Sequence, residues 1–503
     1  VVVVGSGLAG LTLGALLARS GRPVRILEAH ERFGGYGHTF PVRNARGAWS
    51  FNAQLHYVWN CGPGETVDRF LDAVGLRGAV AFGRYDPDGF DRMRMPGHAL
   101  DVPSDPERLI QRLADGFPAH AGALRAFVEE ALRTDAALRA WPPGAAVLRR
   151  PGRFLPLVRW RRATLGDVFE AHGLPPAART LLASQWPDFL EAPARLSFFA
   201  WAMLFCGYLR GAYYPERHFE HVVDSIVSVI RAHGGEVLAR HTVLEYLREG
   251  RSIVGVRVAT PDGVRELRAP VVVCNADPRA AAESIGLEHF SREVRARLQY
   301  TYSASSFVVY TSVEGLDLRA HGFGRHNTFH TEDADLDAAF HRMRVDGDYS
   351  RPSFAITTPS LLGAVPDAPP GHQILQLLTV ADHRSWSQLA LDDPRGYARR
   401  KRAVADQLLQ VVERRYVPGL RDHLALTLIG SPTTSERYVR APAGNAYGSA
   451  LIPSQVGPGR LDARTSLDGF WFCNASSGYP GFAGTVWTGC RLFERLTGER
   501  VLG

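Results

Sequence analysis

Val1-Val2-Val3-Val4-Gly5-Ser6-Gly7-Leu8-Ala9-Gly10 opens the chain, and after a helical stretch come Val24-Arg25-Ile26-Leu27-Glu28 and Arg32-Phe33-Gly34-Gly35. Four β-branched residues in a row predict a buried parallel strand. Gly5 permits the tight turn that follows, Gly7 lets the backbone approach a pyrophosphate, and Gly10 lets the next helix pack close to the strand. Glu28 ends the second strand eighteen residues after Gly10, where its carboxylate can accept hydrogen bonds from ribose hydroxyls. A 2′-phosphorylated dinucleotide is disfavoured there, because two anions would be forced together. Strand, glycine turn, helix and acidic residue in this order predict a dinucleotide-binding βαβ unit.

Signals of the same kind are split into three blocks. The first is residues 1–66. The second covers 213–285: Tyr213-Tyr214-Pro215, a helical pattern from Phe219 to His233, a Gly234-Gly235 turn, the strands Glu236-Val237-Leu238, Thr242-Val243-Leu244 and Ile253 to Val258, and the buried run Val271-Val272-Val273-Cys274. The third, 441–503, carries the strand Gly469 to Cys473, a Gly/Ser-rich turn from Ser476 to Gly484, and a closing helix through Val486 to Leu496. Between them lie insertions 67–212 and 286–440. Helical patterns at Leu109–Phe117, Ala121–Leu138 and Leu165–Leu182 mark the first insertion, and strand-like runs at Ser306–Thr311, Phe354–Thr358 and Ile374–Val380 mark the second. The chain is therefore α/β, with an interrupted nucleotide domain and inserted segments that fold together as a mixed-sheet and helical cap.

Composition narrows the function classes. The 503 residues are 45% hydrophobic and 10% aromatic, which suits a globular protein of two or three domains. Five widely spaced cysteines without a CxxC pair support neither a zinc site nor a disulfide framework, so the expectation is no metal and a reducing cytoplasm. No signal peptide is visible, and the missing initiator Met suggests that a few residues were trimmed. The net charge of +7 is carried almost wholly by arginine, since Lys401 is the only lysine. No basic tail or arginine stripe interleaved with stacking aromatics points to nucleic acid. There is no GxSxG elbow and no HExxH, which argues against nucleophilic and metal hydrolases.

Two stretches carry alternative readings. Leu196 to Leu209 has no charge and is too short to span a bilayer; it is either a buried core helix or the wall of a channel for a long apolar substrate. Arg149 to Arg162 mixes arginines with Phe154, Leu155, Leu157, Val158 and Trp160, the chemistry of peripheral membrane docking, or else a solvated loop whose apolar residues tuck into the cap.

With Gly5-Ser6-Gly7-Leu8-Ala9-Gly10, Glu28, Arg32 to Phe40, Leu55-His56-Tyr57, Tyr213-Tyr214-Pro215, Asn445-Ala446-Tyr447-Gly448 and Pro480 to Gly484 in hand, the chain resembles the bacterial-type phytoene desaturase family, which includes carotenoid desaturases, carotenoid isomerases and retinol saturases. The resemblance covers nearly the whole length. It implies a glutathione-reductase-like FAD-binding Rossmann domain, a substrate or cap domain, and desaturation, saturation or isomerisation of carbon–carbon bonds in apolar polyenes or isoprenoids. Carried over residue by residue, it sets Gly5, Ser6, Gly7 and Gly10 at the FAD pyrophosphate and Glu28 at the ribose. Arg32, Gly34 and Gly35 run along the pyrophosphate and flavin side, and Val243 meets the adenine through its backbone. Asn474, Ala475 and the turn through Gly484 approach the ribityl chain and isoalloxazine, where a helix N-terminus can stabilise a reduced flavin.

Departures are Tyr36 where amine-oxidase relatives often have a basic residue, Arg217-His218 where paired glycines are usual, and Asn474-Ala475 where relatives often have Gly and Asp. By the same analogy His56, Tyr57 and Tyr213 lie near the flavin as proton donors or acceptors, histidine being suited to reversible transfer near neutrality. An amine-oxidase-like enzyme on a natural-product intermediate and a non-enzymatic prenyl-ligand carrier are the competing readings. Many amine oxidases use a lysine near flavin N5, and Lys401 sits in the basic run Arg399-Arg400-Lys401-Arg402 on a surface-type helix. With no second GxGxxG, electrons are expected to exchange with a quinone, oxygen or a separate reductase, and peripheral membrane association is expected of the cap.

Overall fold

Period-two burial explains how the opening strand works. In the computed structural model, which describes residues 1–141 and 151–502, Val2–Val4 is the centre of a five-stranded parallel sheet ordered Phe470–Phe472, Val272–Cys274, Val2–Val4, Arg25–Leu27, Glu236–Leu238. Val3, Ile26, Val237 and Val273 point to one face and join the main core, whose helices include Leu8–Arg19 and Gly481–Thr497. Val2, Val4, Leu27, Val272, Cys274, Phe470 and Phe472 point to the other and pack with Tyr246, Ile253, Val256 and Val258. Those last residues belong to an antiparallel sheet of Thr242–Glu249, Ser252–Thr260 and Gly263–Arg268. A parallel sheet covered on both faces needs apolar side chains on both, hence the uninterrupted valine run. All three sequence blocks contribute strands to it.

The two insertions share a second, seven-stranded mixed sheet, ordered Leu424–Gly430, Ser305–Glu314, His372–Ala381, Ser353–Thr357, Asn327–Thr331, Asp91–Met95, His98–Val102. Asp91–Met95 from the first insertion lies parallel to Asn327–Thr331 from the second, with Asp91 opposite Asn327. Tyr213–Pro215 pairs with Phe82–Arg84.

One helical expectation needs correction. Leu165 to Leu182 is not a single helix but two, Leu165–Ala171 and Pro176–Ala183. Gly173 takes a φ of +63° and Pro175-Pro176 follow, so the first helix has to end and the second starts on a proline in its first turn. The apolar stretch forms the helix Phe198–Arg210, with Phe198, Trp201, Ala202, Phe205 and Cys206 all buried. Trp201 stacks on Phe205 at 4.6 Å and meets Phe127 at 5.4 Å, as a core helix does. Among the described residues no helix is long and apolar enough to cross a membrane.

Candidate active site

The carboxyl ends of the parallel strands meet at one edge, where α/β sheets take their ligands. Gly5 turns out of Val2–Val4 with a φ of +98°, and the helix Leu8–Arg19 begins with Gly7 at its cap, no capping side chain and no acid in its first turn. Its first amides are thus free to meet an anion. The double glycine lies directly against this turn: Gly34 N–H donates to the Ser6 carbonyl at 3.0 Å, and a Cβ on Gly35 would stand 3.2 Å from Gly7 Cα. Arg32 is half-buried nearby and pairs with no carboxylate among the described residues. Glu28 ties the first two strands together, one carboxylate oxygen accepting from Ser6 N–H at 2.9 Å and Ser6 Oγ at 2.7 Å, the other from His30 N–H at 2.8 Å. The chain leading to Val243 is bonded to the same corner, His241 N–H to the Glu28 carbonyl and Arg240 N–H to that of His30.

Asn275, which ends Val272–Cys274, did not stand out in the sequence. A Cβ on Gly7 would come within 2.7 Å of its Oδ1, and one on Gly10 within 2.9 Å of Oδ1 and of the Gly5 carbonyl. Its Nδ2 donates to the Cys473 carbonyl, whereas the buried Oδ1 has no partner. A glycine cradle, bare helix amides and an orphaned acceptor fit a bound dinucleotide. The available signal was positional: Asn275 follows a buried valine strand as Gly5 and Glu28 follow theirs.

The last block closes the edge. Asn474 spends its side chain on the backbone, Nδ2 donating to the Ala276 carbonyl at 3.0 Å and Oδ1 accepting from Ser476 and Ser477 N–H at 3.0 Å each. It therefore shapes the turn that contains Ala475. Gly484 is required because a Cβ would meet the Tyr479 carbonyl at 2.8 Å. Beneath this turn lies Arg460, another residue missed in the sequence, donating to the carbonyls of Gln455 (3.1 Å), Ala475 and Gly478. Burial pushes its guanidinium down to about 10, still cationic at neutral pH.

His56 and Tyr57 lie in a buried polar cluster. His56 Nδ1 faces the Gln54 carbonyl at 3.0 Å and Nε2 faces Asp188 Oδ1 at 3.0 Å. Tyr57 donates to Asp188 Oδ2 at 2.8 Å and lies 3.2 Å from Asp91 Oδ2. Gln185 donates to both Tyr57 and Asp91, and Asn327 to Asp91 Oδ1 at 3.2 Å. Tyr208, from the apolar helix, stacks flat on Tyr57 at 4.0 Å. Burial, then the Asp188 charge, push Asp91 well above the usual carboxylate range and raise Tyr57 too. Tyr213 is not part of this cluster. Its backbone pairs with Val58, but its ring lies against Gly211 and Gly62, and burial and Glu65 raise its hydroxyl. Both His56 nitrogens are engaged, so the ring cannot offer one to a substrate without releasing a partner.

Such an edge, built on a parallel sheet with a glycine cradle, defines a dinucleotide-binding Rossmann protein, and residues 3–74 match the NAD(P)-binding Rossmann-like domain family. Over its length the chain is similar to all-trans-retinol 13,14-reductase of Homo sapiens (26% identical, 89% of this chain and 77% of the relative) and of Danio rerio (23%, with the same coverage). It is also similar to prolycopene isomerase 1, chloroplastic, of an Oncidium hybrid cultivar (23%, covering 95% and 80%). Retinol reductases and prolycopene isomerases thus stand among the relatives of a chain whose sequence resembles the bacterial-type phytoene desaturase family. Among solved structures it shares its fold with an oxidoreductase from Methanosarcina mazei (TM-score 0.64, 15% identical, covering 98% and 99%) and with a putrescine oxidase redesigned in cofactor binding (TM-score 0.65, 15%, covering 99% and 98%).

Proposed function

We propose that this chain is an FAD-dependent oxidoreductase that acts on carbon–carbon bonds of an apolar polyene or isoprenoid-like molecule. The observation that carries the reading is the single edge on which Gly5, Glu28, Asn275 and the Asn474 turn converge; relatives that act on retinol and prolycopene, both polyenes, supply the substrate class. Residues 1–66, 213–285 and 441–503 hold the cofactor, and 67–212 with 286–440 form the cap. The free amides of Leu8–Arg19, together with Arg32, receive the pyrophosphate, and Glu28, which already accepts three hydrogen bonds, keeps one lone pair for a ribose hydroxyl. Val243 offers its backbone to the adenine. FAD supplies a hydride carrier when bound. Protons are handled by His56 and Tyr57, with Tyr213 nearby in the backbone. Electrons exchange with a quinone, oxygen or a separate reductase.

The cap also offers a membrane contact. Phe154 and Trp160 turn inward, whereas Leu155, Val158 and Trp141 are exposed beside Arg159; Arg149 and Arg150 fall outside the described residues. Leu155→Ser with Val158→Ser should lower retention on anionic liposomes, and undiminished retention removes this contact.

Anaerobic mixing of the oxidised or reduced holoprotein with a panel of apolar polyenes tests the main reading. Bleaching or reoxidation of the flavin absorbance by a polyene is expected. A colourless chain that takes up no FAD overturns it. Lys401 lies on the cap helix Pro394–Arg415, 5.5 Å from the Tyr397 ring, so Lys401→Ala should leave flavin turnover unchanged; its loss would favour amine oxidation.

A further inference from the structure

We infer that His56, Asp188, Tyr57 and Asp91 form one electrically neutral proton relay, with three protons held in its three hydrogen bonds and a carboxylic acid, Asp91, at its inner end. As a device for delivering protons to substrate it rests on the function proposed above; its protonation does not.

The contacts of the cluster fix where its hydrogens lie. The Gln54 carbonyl can only accept, so His56 Nδ1 carries a proton. Nε2 faces a carboxylate oxygen at 3.0 Å, and that contact needs a second proton between them. Tyr57 lies 2.8 Å from Asp188 Oδ2 and 3.2 Å from Asp91 Oδ2, and its one phenolic proton can serve only one of these. Asp91 has to supply the other. With that proton in place Tyr57 donates once and accepts twice, from Asp91 and from Gln185, and its hydroxyl is fully satisfied.

Charge leads to the same count. Asp91 is fully buried, and the groups that face it, Gln185 and Asn327, are neutral amides. The other titratable side chains packed on the cluster are Tyr208 on the Tyr57 ring, Tyr85, which donates to the His56 carbonyl at 3.1 Å, and Tyr447, near Asp188. Among the described residues no arginine or lysine bonds either carboxylate. Two ionised acids beside one imidazolium would leave a buried net charge, which burial disfavours. With Asp91 protonated and Asp188 paired to an imidazolium the sum is zero.

The relay has one outlet. The His56 side chain is 13% exposed, against 6% for Asp188, and Asp91 is wholly enclosed. When the Nδ1 proton leaves for the substrate carbon that does not receive the hydride, the ring gives up the Gln54 carbonyl and Nε2 keeps the proton it shares with Asp188. Tyr57 goes on donating to Asp188 Oδ2 and Asp91 keeps its own proton. One proton has left, and the one negative charge rests on Asp188, which accepts two hydrogen bonds, and not on the enclosed Asp91. Asp188, Tyr57 and Asp91 are thus positioning residues that act through His56.

Infrared spectra of the FAD-loaded full chain, in water and in heavy water, test the protonation without any substrate. A deuterium-sensitive carboxylic-acid C=O band is expected, lost in Asp91→Asn and kept in Tyr57→Phe. Ring-nitrogen shifts of His56 should report a proton on both nitrogens in the unaltered protein, as the two contacts require, so the test does not depend on any variant folding. Absence of the band, its persistence in a folded Asp91→Asn, or a singly protonated ring overturns the relay. Because neither reading needs turnover, failure of the polyene assay leaves these outcomes intact. With substrate in hand, Tyr57→Phe should keep FAD binding and lower the protonation rate at least tenfold; an unchanged rate removes the delivery role.

Discussion

Gly489 is where the last sequence block is locked to the first, and enlarging it should loosen the cofactor edge. It lies in the helix Gly481–Thr497 opposite Leu8–Arg19, and a Cβ there would stand 2.7 Å from both the Ala9 carbonyl oxygen and Thr12 Cβ. The obstruction is in part helix backbone, and the same carbonyl already accepts the Cys473 thiol at 3.7 Å. Ordinary contact begins at 3.4 Å, so in Gly489→Ala the helices have to part by roughly 0.7 Å. Overpacking of this kind costs about 1–3 kcal/mol, and the better helix propensity of alanine returns about 1 kcal/mol. The net expectation is a loss of about 0–2 kcal/mol, with weaker FAD binding because the Asn474–Gly484 turn moves with its helix. Gly122, in the helix Ala121–Arg139, has nothing within 4 Å of its Cβ position, and Gly122→Ala should gain about 0.5–1 kcal/mol. Urea unfolding and flavin-fluorescence titration measure both. If Gly489→Ala gains stability as Gly122→Ala does and binds FAD as tightly as the unaltered protein, the close helix crossing is not what holds this edge.

Arg460→Met orphans the carbonyls of Gln455, Ala475 and Gly478 at about 1–3 kcal/mol each, offset by about 3 kcal/mol for no longer burying a charge. A net loss of roughly 3 kcal/mol is expected in thermal melting, and an unchanged midpoint contradicts it. Glu332 is held down to about 2 by His330, 3.8 Å away, and by Arg414 at 2.9 Å. A depressed carboxylate stabilises fully above its ordinary value of 4.5 and loses that contribution as pH falls toward 2. The stability gap between the unaltered protein and Glu332→Gln should therefore shrink across that window, and a constant gap refutes the pairing.

The nucleotide-binding unit was legible because its signals are local. Val2–Val4 and Val272–Cys274 announce strands buried on both faces, and the positive φ at Gly5 and Gly34 needs glycine. Elsewhere local pattern misled or was too faint. Leu165 to Leu182 keeps helical spacing of apolar residues across a break that Gly173 and the two prolines enforce. The hairpin Asp91–Met95 with His98–Val102 passed unnoticed within an insertion read as helical. Its sequence Asp-Arg-Met-Arg-Met alternates charge with sulfur, and only Met93 and Asp91 turn fully inward.

The same concealment explains why the sequence points to His56, Tyr57 and Tyr213 and to neither acid. Asp91 and Asp188 are far apart in sequence and meet only because a strand of one insertion pairs with a strand of the other, and because the turn carrying Trp186–Phe189 packs against that sheet. No spacing rule connects them. Each is nonetheless anomalous in its own neighbourhood. Asp91 shares the buried phase of its strand with Met93, and Asp188 interrupts the apolar run Trp186-Pro187-Asp188-Phe189-Leu190, all of it buried. An ionised acid in such a place is excluded by the cost of burying a charge unless a cation or a proton neutralises it. Lysine is nearly absent from this chain and, among the described residues, no arginine pairs with either acid, which leaves His56 for one and a retained proton for the other. An acid in the apolar phase of a strand, in a chain with no cation near it, is thus itself a sequence-level sign of a stored proton, and here it points to the residues that the glycine motif leaves unmentioned.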